Sequence, residues 1–408
     1  MKKIIALLMA LVLVLGLAAC GGNAAEADTF KVGAIYINSK NDTAGYTFAH
    51  HNGITTAMKE LGLDVEKQLV IVDEVPEDKQ KVLDAVDTLV GEGADIVFGI
   101  SFGYIDALEE ASAAYPDVIF SHGTGYKANE TNFNNYFGRI YQARYLAGIA
   151  AGLKALEMGN DKIGYVAAHT TDYAETASGI NGFALGVQAV NPDAKIFVKN
   201  LNNWADEVNE KAYAEELISS FGCGVVSQHC DSAQPQIAAE NAGVFGCGYN
   251  SDMTPDAPKA HLTAAIWNWN VYYGTAIKAA MECEKAADFV TKMGGNAYYG
   301  GLKEGFVDVS PLSENCAPKT AEIIDTVKAM MVNGEWDVFS GVKLQIDAAT
   351  GTVTKVDAAL ESNGFMYVDG NFNVPMENSV VVEAGGASVD DGVIKGSMNY
   401  LVKGVEEA

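Results

Sequence analysis

The stretch that decides the fold is ADIVFGIS (94–101), an apolar run followed by the helical DALEEASAAYP (106–116) and then by a second apolar run, DVIFSHG (117–123). Apolar runs of strand length that alternate with helix-period segments are typical of βα units on a parallel sheet. Helices cover both faces of such a sheet, so its strands are apolar throughout instead of alternating. These residues therefore predict an α/β fold built on a doubly wound parallel sheet.

The same order of strands and helices occurs a second time further along the chain. The first run extends from FKVGAIY (30–36) to DVIFSHG (117–123), and the second extends from DKIGYVAAH (161–169) to VFGCGYN (244–250). Between them, residues 135–159 are predicted to form a crossover into a helix that opens the second run. Two similar doubly wound lobes in succession predict a clamshell with a central cleft.

This pattern divides the chain into two lobes and an extension. The segment 261–282 is interpreted as a strand that returns to lobe 1 and a helix that follows it there. The extension is Gly-rich and acidic, with hairpin features around ATGT, and the sequence predicts no place for it in the fold. The predicted division is lobe 1 at 30–145 and 262–300, lobe 2 at 146–261 and 301–340, and the C-terminal extension at 341–408.

The N-terminal segment MKKIIALLMALVLVLGLAAC (1–20) is typical of a secretory signal, with a basic start, an apolar run and small residues at its end. Its last four residues, LAAC, resemble the lipobox of bacterial lipoproteins, in which the signal is cleaved before a cysteine that becomes diacylated. We therefore predict a signal peptide over residues 1–19, lipidation of Cys20 and a flexible linker over residues 20–29. The acyl chains would anchor the protein at the extracytoplasmic face of the cell membrane.

The formal net charge of −26 limits the classes of partner. Nucleic acids are bound through basic clusters, and the sequence contains none, so no nucleic acid partner is expected. The same charge disfavours an anionic ligand. Besides Cys20, five of the six cysteines remain, an odd number without a C-x-x-C spacing. They are predicted to be mostly reduced and buried. One or two disulfides are the alternative, because they can form in an export compartment.

The segment VVSQHCDSAQ (225–234) places His229, Cys230 and Asp231 side by side, which are ingredients of a metal site or of nucleophilic catalysis. On an extended segment, successive side chains point to opposite faces. His229 and Asp231 are therefore expected to share the cleft face while Cys230 turns away, which leaves neither a Cys–His dyad nor a complete metal site. The sequence also lacks a nucleophile elbow, an H-E-x-x-H motif and a P-loop. We predict no enzyme activity, no metal and no cofactor.

Ligands of open α/β sheets bind at the carboxyl ends of the strands. A phosphate or a sugar acid is bound there by cationic groups or a helix N-terminus. A flat neutral heterocycle is instead held between aromatic faces, with Asp, Asn or Ser at its edges. The strand-end segments are rich in the second set of residues, and Lys40 is their only Lys or Arg: YINSKNDTAGY (36–46), ISFGYID (100–106), NLNNWADE (200–207), SQHCDS (227–232) and GYNSDM (248–253). Their composition favours the heterocycle.

A resemblance to a known family runs from about residue 30 to about residue 340. It is carried, in family order, by segments that include VGAIYINSKNDTAGYTFAHHNG (32–53), YFGRIYQARYLAGIAAG (136–152), NNWADEVNEKA (202–212) and VVSQHCDSA (225–233). These resemble the basic membrane protein (BMP) family, the substrate-binding lipoproteins of ABC importers for purines and nucleosides. The resemblance implies a type I periplasmic-binding-protein-like fold, a small-molecule ligand, an ABC permease as partner and attachment to the membrane through the lipid anchor.

The resemblance also implies an aromatic sandwich around the ligand. Tyr46, seven residues before Gly53, and Trp204, just ahead of Asp206, match the two family aromatics that clamp the base from opposite lobes. Asp252 matches an acidic position near the ribose or the base edge. Nucleoside binders of the family carry a lysine shortly after the next strand, where this chain has Trp267. A tryptophan there narrows the pocket and favours a free purine base.

The predicted ligand is accordingly a purine base of the adenine or guanine type. Two alternatives stay open, namely a purine nucleoside and a sugar or autoinducer bound on the same fold. Within the set of binding residues, the side chains of His50, His122, His229 and Asp231 are expected to hydrogen-bond the ligand edge. The full predicted set is Tyr36, Tyr46, Thr47, His50, Ser101, Phe102, Gly103, Tyr104, His122, Trp204, Asp206, His229, Asp231, Asp252 and Trp267.

Overall fold

The computed structural model describes residues 29–43 and 45–408. The predicted signal peptide, Cys20 and most of the linker lie outside these residues. The strands are β1 Val32–Tyr36, β2 Leu69–Val72, β3 Ile96–Ile100, β4 Ile119–Gly123, β5 Phe133–Gly138, β6 Lys162–Ala167, β7 Lys195–Asn200, β8 Val225–His229, β9 Phe245–Asn250, β10 His261–Trp267, β11 Ala297–Gly300, β12 Val307–Val309, β13 Val342–Ile346, β14 Val353–Asp357, β15 Leu360–Val368, β16 Asn371–Pro375, β17 Val380–Val382, β18 Tyr400–Val402 and β19 Val405–Glu407.

Helices connect most of the strands of the first two-thirds of the chain. Two short 3₁₀ helices, Phe102–Tyr104 and Ala286–Asp288, supplement them. The α-helices are α1 Gly45–Glu60, α2 Val65–Gln68, α3 Lys79–Gly91, α4 Ile105–Ala114, α5 Ile140–Glu157, α6 Ala174–Val190, α7 Glu207–Ser219, α8 Gln234–Ala242, α9 Trp269–Met281, α10 Phe289–Met293, α11 Thr320–Val332 and α12 Asp391–Gly396.

Two largely parallel sheets form the body of the protein, which confirms the predicted fold class. The first sheet has the order β11-β5-β4-β3-β1-β2, and the second has the order β12-β10-β9-β8-β6-β7-β19. In each sheet the strand order reverses beside the first strand of the run, β1 or β6, and such a reversal opens a crevice at the carboxyl ends of the strands. Every residue of β1 and of β3 is buried, as expected for strands with helices on both faces.

The helices α5 and α6 pack closely against each other. This packing positions part of the surface at the carboxyl ends of the strands of the second sheet. A Cβ on Gly186 would lie 2.0 Å from the Tyr145 carbonyl oxygen, and one on Gly148 would lie 2.1 Å from the Phe183 carbonyl oxygen. Glycine at these two positions therefore allows the helix backbones to approach more closely than any side chain would permit. This packing holds the first turn of α6, which carries Glu175, at the end of β6.

The strand β10 lies in a different sheet from the one that the sequence predicts. Residues 262–267 are assigned to lobe 1 by the sequence, whereas the structure pairs β10 in parallel with β9 in the second sheet, with Ala264 beside Gly248. The helix α9 does pack on α1 of the first lobe, where a Cβ on Gly53 would meet the Trp269 Cβ at 2.4 Å. The chain therefore crosses between the lobes after β10 and not before it. A strand that is buried along almost its whole length fits either sheet, so its hydrophobic pattern could not distinguish them.

The C-terminal extension is built mainly on the second lobe. Its hairpin β13–β14 is antiparallel, as the turn residues around ATGT predict. Its last strand, β19, adds to the edge of the second sheet in parallel with β7. The Asn181 amide of α6 donates a 2.9 Å hydrogen bond to the Tyr400 carbonyl oxygen and accepts a 2.8 Å bond from the Val402 N–H. These bonds attach the extension to the helix that begins at the end of β6.

Two further properties of the described residues bear on the predictions. No helix among them is both long and apolar enough to cross a membrane. The five cysteines that follow Cys20 are free thiols: Cys223, Cys230, Cys247, Cys283 and Cys316.

Candidate ligand-binding site

A cavity of about 570 Å³ lies between the carboxyl ends of the strands of the two sheets. This volume is within the range of small-molecule sites in proteins. Both sheets and the extension contribute to its wall. The lining residues are Ile37, Asn38, Tyr46, Glu77, Ser101, Phe102, Thr124, Tyr126 and Phe137 from the first lobe, Asp172, Tyr173, Ala174, Glu175, Asn203, Trp204, Ala205, Asp231 and Tyr249 from the second, and Lys395 and Gly396 from the extension.

The sheet topology explains which residues meet in this cavity. Parallel strands end at the same edge, so the residues that follow β1, β3 and β4 lie together on one side. The residues that follow β6, β7 and β8 lie together on the other side. Five predicted binding residues line the cavity: Tyr46, Ser101, Phe102, Trp204 and Asp231.

Tyr46 is an aromatic wall of the cavity on the first lobe. Its ring packs edge-on against His50, with 4.2 Å between centroids, and its hydroxyl donates a 3.3 Å hydrogen bond to the Gly123 carbonyl oxygen. His50 in turn stacks on Trp269 at 3.8 Å. The Tyr46 ring is therefore supported from behind and at its tip, which orients it before any ligand arrives.

Trp204 is the corresponding aromatic wall on the second lobe. It lies in the loop after β7 and packs against Tyr173, with 5.5 Å between ring centroids and 73° between ring planes, and against His169 at 4.9 Å. Its backbone carbonyl accepts a 3.3 Å hydrogen bond from the Asp231 N–H, which ties two strand-end loops together. The indole remains partly exposed and free to contact a ligand face.

Asp231 presents a carboxyl group to the cavity. One of its oxygens accepts a 2.9 Å hydrogen bond from the Asn250 amide. Burial, together with the negative charge of Glu210, raises the pKa of Asp231 to about 8, while the hydrogen bond from Asn250 opposes the rise. Near neutral pH the empty cavity therefore holds this group largely as the neutral acid, which can both donate and accept a hydrogen bond.

Glu175 is a second carboxyl group in the cavity with a raised pKa. It was not predicted from the sequence as a binding residue. Burial raises the pKa of Glu175 to about 7, although the positive charge of Arg144 opposes the rise. The Arg144 guanidinium lies 4.0 Å from the centre of the Tyr249 ring and donates hydrogen bonds to the Tyr165 hydroxyl (2.6 Å) and the Gln228 carbonyl oxygen (2.9 Å). Arg144 is thus a buried support behind the cavity wall.

Ser101 lines the cavity but is already engaged by another side chain. Its hydroxyl donates a 2.5 Å hydrogen bond to Glu77, and the Gly103 N–H donates a 2.7 Å bond to the same carboxylate oxygen. Glu77 therefore orders the SFGY loop, and Gly103 serves that loop without lining the cavity. Phe102 is the exposed aromatic residue of the loop, with 41% of the residue's surface accessible.

Three predicted residues of the first lobe lie in the core beneath the cavity instead of facing it. The Tyr36 hydroxyl is 3.2 Å from His51 Nδ1, and the Tyr104 hydroxyl donates a 2.5 Å hydrogen bond to the Val75 carbonyl oxygen. His122 Nε2 lies 2.7 Å from the Ser101 carbonyl oxygen. All three side chains are fully buried. The helices that cover both faces of the sheet enclose these strand-end positions. Each side chain has an internal hydrogen-bonding partner, although His122 Nδ1 has none among the described residues.

Four other predicted residues form a second layer behind the wall. Thr47 and His50 are fully buried on the inner face of α1, below Tyr46. The Trp267 ring stacks on Trp269 at 4.5 Å, and its N–H donates a 3.3 Å hydrogen bond to the Tyr249 hydroxyl. His229 lies edge-on to Tyr249 at 4.7 Å, with Nε2 3.5 Å from a Glu175 oxygen. The alternation of side chains placed His229 on the correct side of the strand, but Tyr249 stands between it and the cavity.

Two predicted acids lie outside the cavity lining and cap local structure. Asp206 is the N-cap of α7 and accepts a 3.1 Å hydrogen bond from the Asn209 N–H. Asp252 is exposed and accepts a 3.0 Å bond from the Thr254 N–H in the turn after β9. Asp is a favoured residue at both kinds of position, so the sequence supported either role.

Several residues that line the cavity were not predicted from the sequence. Asp172 and Tyr173 belong to the strand-end segment AAHTTDY (167–173), and Tyr249 belongs to GYNSDM, so their positions carried a usable signal. The position of Lys395 gave no such signal, because the sequence predicted no place in the fold for the C-terminal extension. No group of three His, Cys, Asp or Glu side chains in the described part of the chain is arranged to hold a metal ion.

Two doubly wound sheets with a small-molecule cavity at their facing strand ends define the class of solute-binding proteins with the type I periplasmic fold. A solved ABC transporter solute-binding protein from Conexibacter woesei matches the structure with a TM-score of 0.60 at 19% identity, over 76% of this chain and 98% of that chain. One from Aeropyrum pernix matches with a TM-score of 0.60 at 18% identity, over 78% of this chain and 93% of that chain. At these identities the likeness shows the fold alone.

The chain belongs to the Bmp family of PnrA-like ABC transporter substrate-binding proteins, whose family model matches residues 30–337. This confirms the predicted family. Members are extracytoplasmic substrate-binding components of ABC transporters, so the protein has a small-molecule ligand and a permease partner.

Two relatives with the same sequence identity to this chain are named for different ligands. A Haloferax volcanii protein named as an ABC transporter glucose-binding protein is 32% identical over 322 residues, covering 79% of this chain and 77% of the relative. A purine-binding protein of Brucella abortus is 32% identical over 324 residues, covering 79% of this chain and 86% of the relative. The identities are equal, so they do not distinguish the two ligand classes.

Proposed function

We propose that the protein captures a purine base between its lobes and presents it to an ABC permease. The observation that carries this proposal is that Tyr46 of one lobe and Trp204 of the other line a single cavity together with the carboxyl groups of Glu175 and Asp231. Aromatic faces from opposite lobes suit a flat ring, and carboxyl groups suit the N–H and NH₂ donors at the edge of a purine.

The titration of the two carboxyl groups fits such a ligand. The pKa of Glu175 is raised to about 7 and that of Asp231 to about 8. A carboxylate accepts hydrogen bonds from ring N–H and exocyclic NH₂ groups, and the neutral acid donates one to a ring nitrogen. A purine edge presents both kinds of group, so either protonation state finds a partner there.

The charge of the cavity wall argues against a phosphate or a sugar acid. Four carboxyl groups line it, those of Glu77, Asp172, Glu175 and Asp231, and Lys395 is the one Lys or Arg among the described lining residues. A glucose ligand, as the name of the Haloferax relative suggests for that protein, would use the same aromatic walls. It would also need polar partners around each of its hydroxyls, and much of this wall is aromatic.

The mechanism of the proposed function is closure of the two lobes around the ligand. The base contacts Tyr46 on one side and Trp204 on the other only when the two loops approach each other. Its binding free energy therefore favours the closed state to the extent that the closed state binds it better. The closed form is the one that the permease recognises.

Calorimetry with adenine, hypoxanthine, adenosine and glucose tests the proposal. We expect both bases to bind, adenosine to bind more weakly because Trp267 and Trp269 fill the space behind the wall, and glucose to show no heat of binding. Binding of glucose with no response to either base would contradict the proposal. Tighter binding of adenosine than of adenine would replace the base with the nucleoside as the ligand.

We also propose that Cys20 anchors the protein to the membrane through its lipid. Cys20 lies outside the described residues, so the proposal depends on the LAAC motif at the end of the apolar signal. A Cys20→Ala variant is expected to leave the membrane fraction and to keep its ligand affinity, because the cavity lies in the folded domain. Retention of the variant in the membrane fraction after a carbonate wash would exclude this anchor.

A further inference from the structure

Lys395 is a feature of the cavity that lies outside the residues matched by the family model. The family model ends at residue 337, whereas Lys395 belongs to α12 in the C-terminal extension. It lines the candidate ligand-binding cavity between the two sheets, here called the main cavity. It also lines an adjoining cavity of about 570 Å³ bounded by the first lobe. The extension therefore supplies part of the binding-site wall.

The cavity is electrically asymmetric along its length. Near one end, Asp231 and Tyr46 are shared with a neighbouring open groove that carries Asp42, Glu74 and Glu207. Near the other end, Lys395 is shared with the adjoining cavity, whose lining contains no carboxyl group among the described residues. The two neighbouring spaces have no lining residue in common. Lys395 and Asp231 therefore mark opposite ends of the main cavity.

The short helix that carries Lys395 is held firmly in place. Asp391 accepts hydrogen bonds from the Arg139 guanidinium at 3.1 Å (from Nε) and 2.5 Å (from Nη2). Asp390 caps the helix by accepting a 2.7 Å bond from the Gly392 N–H. Ile394 is fully buried beneath it. A helix of six residues would not be stable without such contacts, so its position is imposed by the fold.

The ammonium group of Lys395 is available to a ligand. It lies 5.2 Å from the centre of the Tyr299 ring, and it has no carboxylate within 4.0 Å in the part of the chain that the structure describes. By contrast, Lys403 of the same extension pairs with Glu361 at 2.9 Å. An ammonium group at a cavity wall without an acidic partner is suited to an oxygen or nitrogen acceptor of a bound molecule.

We propose that Lys395 is a specificity-determining ligand contact that selects a 6-oxopurine, such as hypoxanthine or guanine, over the 6-aminopurine adenine. An oxopurine presents O6 and N7 as adjacent acceptors on one edge, which is the pair that Lys and Arg recognise on guanine. Its N1–H donor, together with the NH₂ group in guanine, suits the carboxyl groups near the opposite end. Adenine places an NH₂ donor where the oxopurine has O6. This inference rests on the proposed purine function.

The test compares hypoxanthine with adenine, because the two bases differ in the group at position 6 and the proton at N1. Calorimetry on the wild-type protein is expected to show tighter binding of hypoxanthine. Lys395→Met is expected to weaken hypoxanthine binding by about tenfold or more, the usual cost of losing a charged hydrogen bond, while adenine binding changes less than about twofold. Lys395→Arg retains a cationic donor and is expected to restore most of the preference.

Lys403→Met is the matched control, since it removes a lysine of the same extension whose ion pair is solvent-exposed. It is expected to leave both affinities unchanged. Asp391→Asn provides a second variant, because it loosens the helix and should reduce the hypoxanthine preference without removing the lysine.

Purine binding in which Lys395→Met weakens neither base, or weakens both equally, would overturn the role of Lys395 and leave the proposed function standing. A wild-type protein that binds no purine would overturn both.

Discussion

Replacement of Trp204 by alanine is expected to weaken purine binding by about 10- to 100-fold, because stacking of a base on an aromatic ring contributes roughly 1–3 kcal/mol. Trp204 is the aromatic wall of the second lobe, and its ring is partly exposed in the cavity. Trp204→Phe preserves an aromatic face and should lose only a part of this affinity. Calorimetry on the three proteins with the same base measures the difference.

Asp206→Ala is the matched control for Trp204, since it lies two residues away but caps α7 and does not line the cavity. We expect it to lower the free energy of unfolding by about 0.5–2 kcal/mol, as for other N-cap losses, and to leave purine affinity unchanged. If Trp204→Ala bound the base as tightly as the parent, or if Asp206→Ala lost affinity to the same extent, the aromatic sandwich would be wrong.

Replacement of Asp231 by asparagine is expected to weaken purine binding by about tenfold or more at pH 8, because a carboxylate is a stronger acceptor for ring N–H groups than an amide. The pKa of Asp231 is raised to about 8 in the empty cavity. Ligand donors favour the ionised form, so binding releases a proton and the affinity of the parent should rise with pH up to about 8. Titrations at pH 6, 7 and 8 measure this dependence. The variant should retain only a smaller dependence, from Glu175, whose pKa is raised to about 7.

The same substitution is expected to stabilise the protein when no ligand is bound. An unfolded Asp has a pKa of about 3.9, whereas the pKa of Asp231 in the folded protein is raised to about 8. The folded state therefore binds the proton more tightly, and its stability falls as the pH rises from about 4 to about 8. Asp231→Asn removes this loss, so its midpoint of thermal unfolding at pH 8 should exceed that of the parent by a few degrees.

Asp252→Asn serves as the control for Asp231, because Asp252 is exposed and lies outside the cavity. It should change neither the affinity nor its pH dependence. A parent protein whose purine affinity is the same at pH 6 and pH 8 would contradict the assigned role of Asp231.

The hydrophobic pattern was sufficient to predict the strands and helices of the two repeated runs, 30–123 and 161–250. Strands such as β1 and β3 are buried at every residue, and a continuous apolar run between helical segments has few other interpretations. The pattern could not assign β10 to a sheet, because a strand of this kind fits any sheet that is covered on both faces. It was also insufficient for the extension, whose strands are short and partly exposed.

The predicted binding residues that line the cavity are those for which the position in the chain and the type of side chain agreed. Tyr46, Trp204 and Asp231 follow strands or open a helix at the cleft, and all three line the cavity. Tyr104 and His229 also follow or end strands, yet the fold encloses them beneath one more layer of side chains. The depth of a residue below a surface depends on what packs over it, and that packing comes from distant parts of the chain.

The sequence by itself determined the class of fold, the family and the strand ends where a ligand binds, because these depend on local periodicity and on motifs within single segments. Only the tertiary structure decided which side chains reach the cavity and how they titrate. The raised pKa values of Glu175 and Asp231 arise from burial by both lobes. Lys395 reaches the same cavity because the extension folds back along α6 and β7. Burial and approach across long sequence separations are properties of the packed chain, and no local segment encodes them.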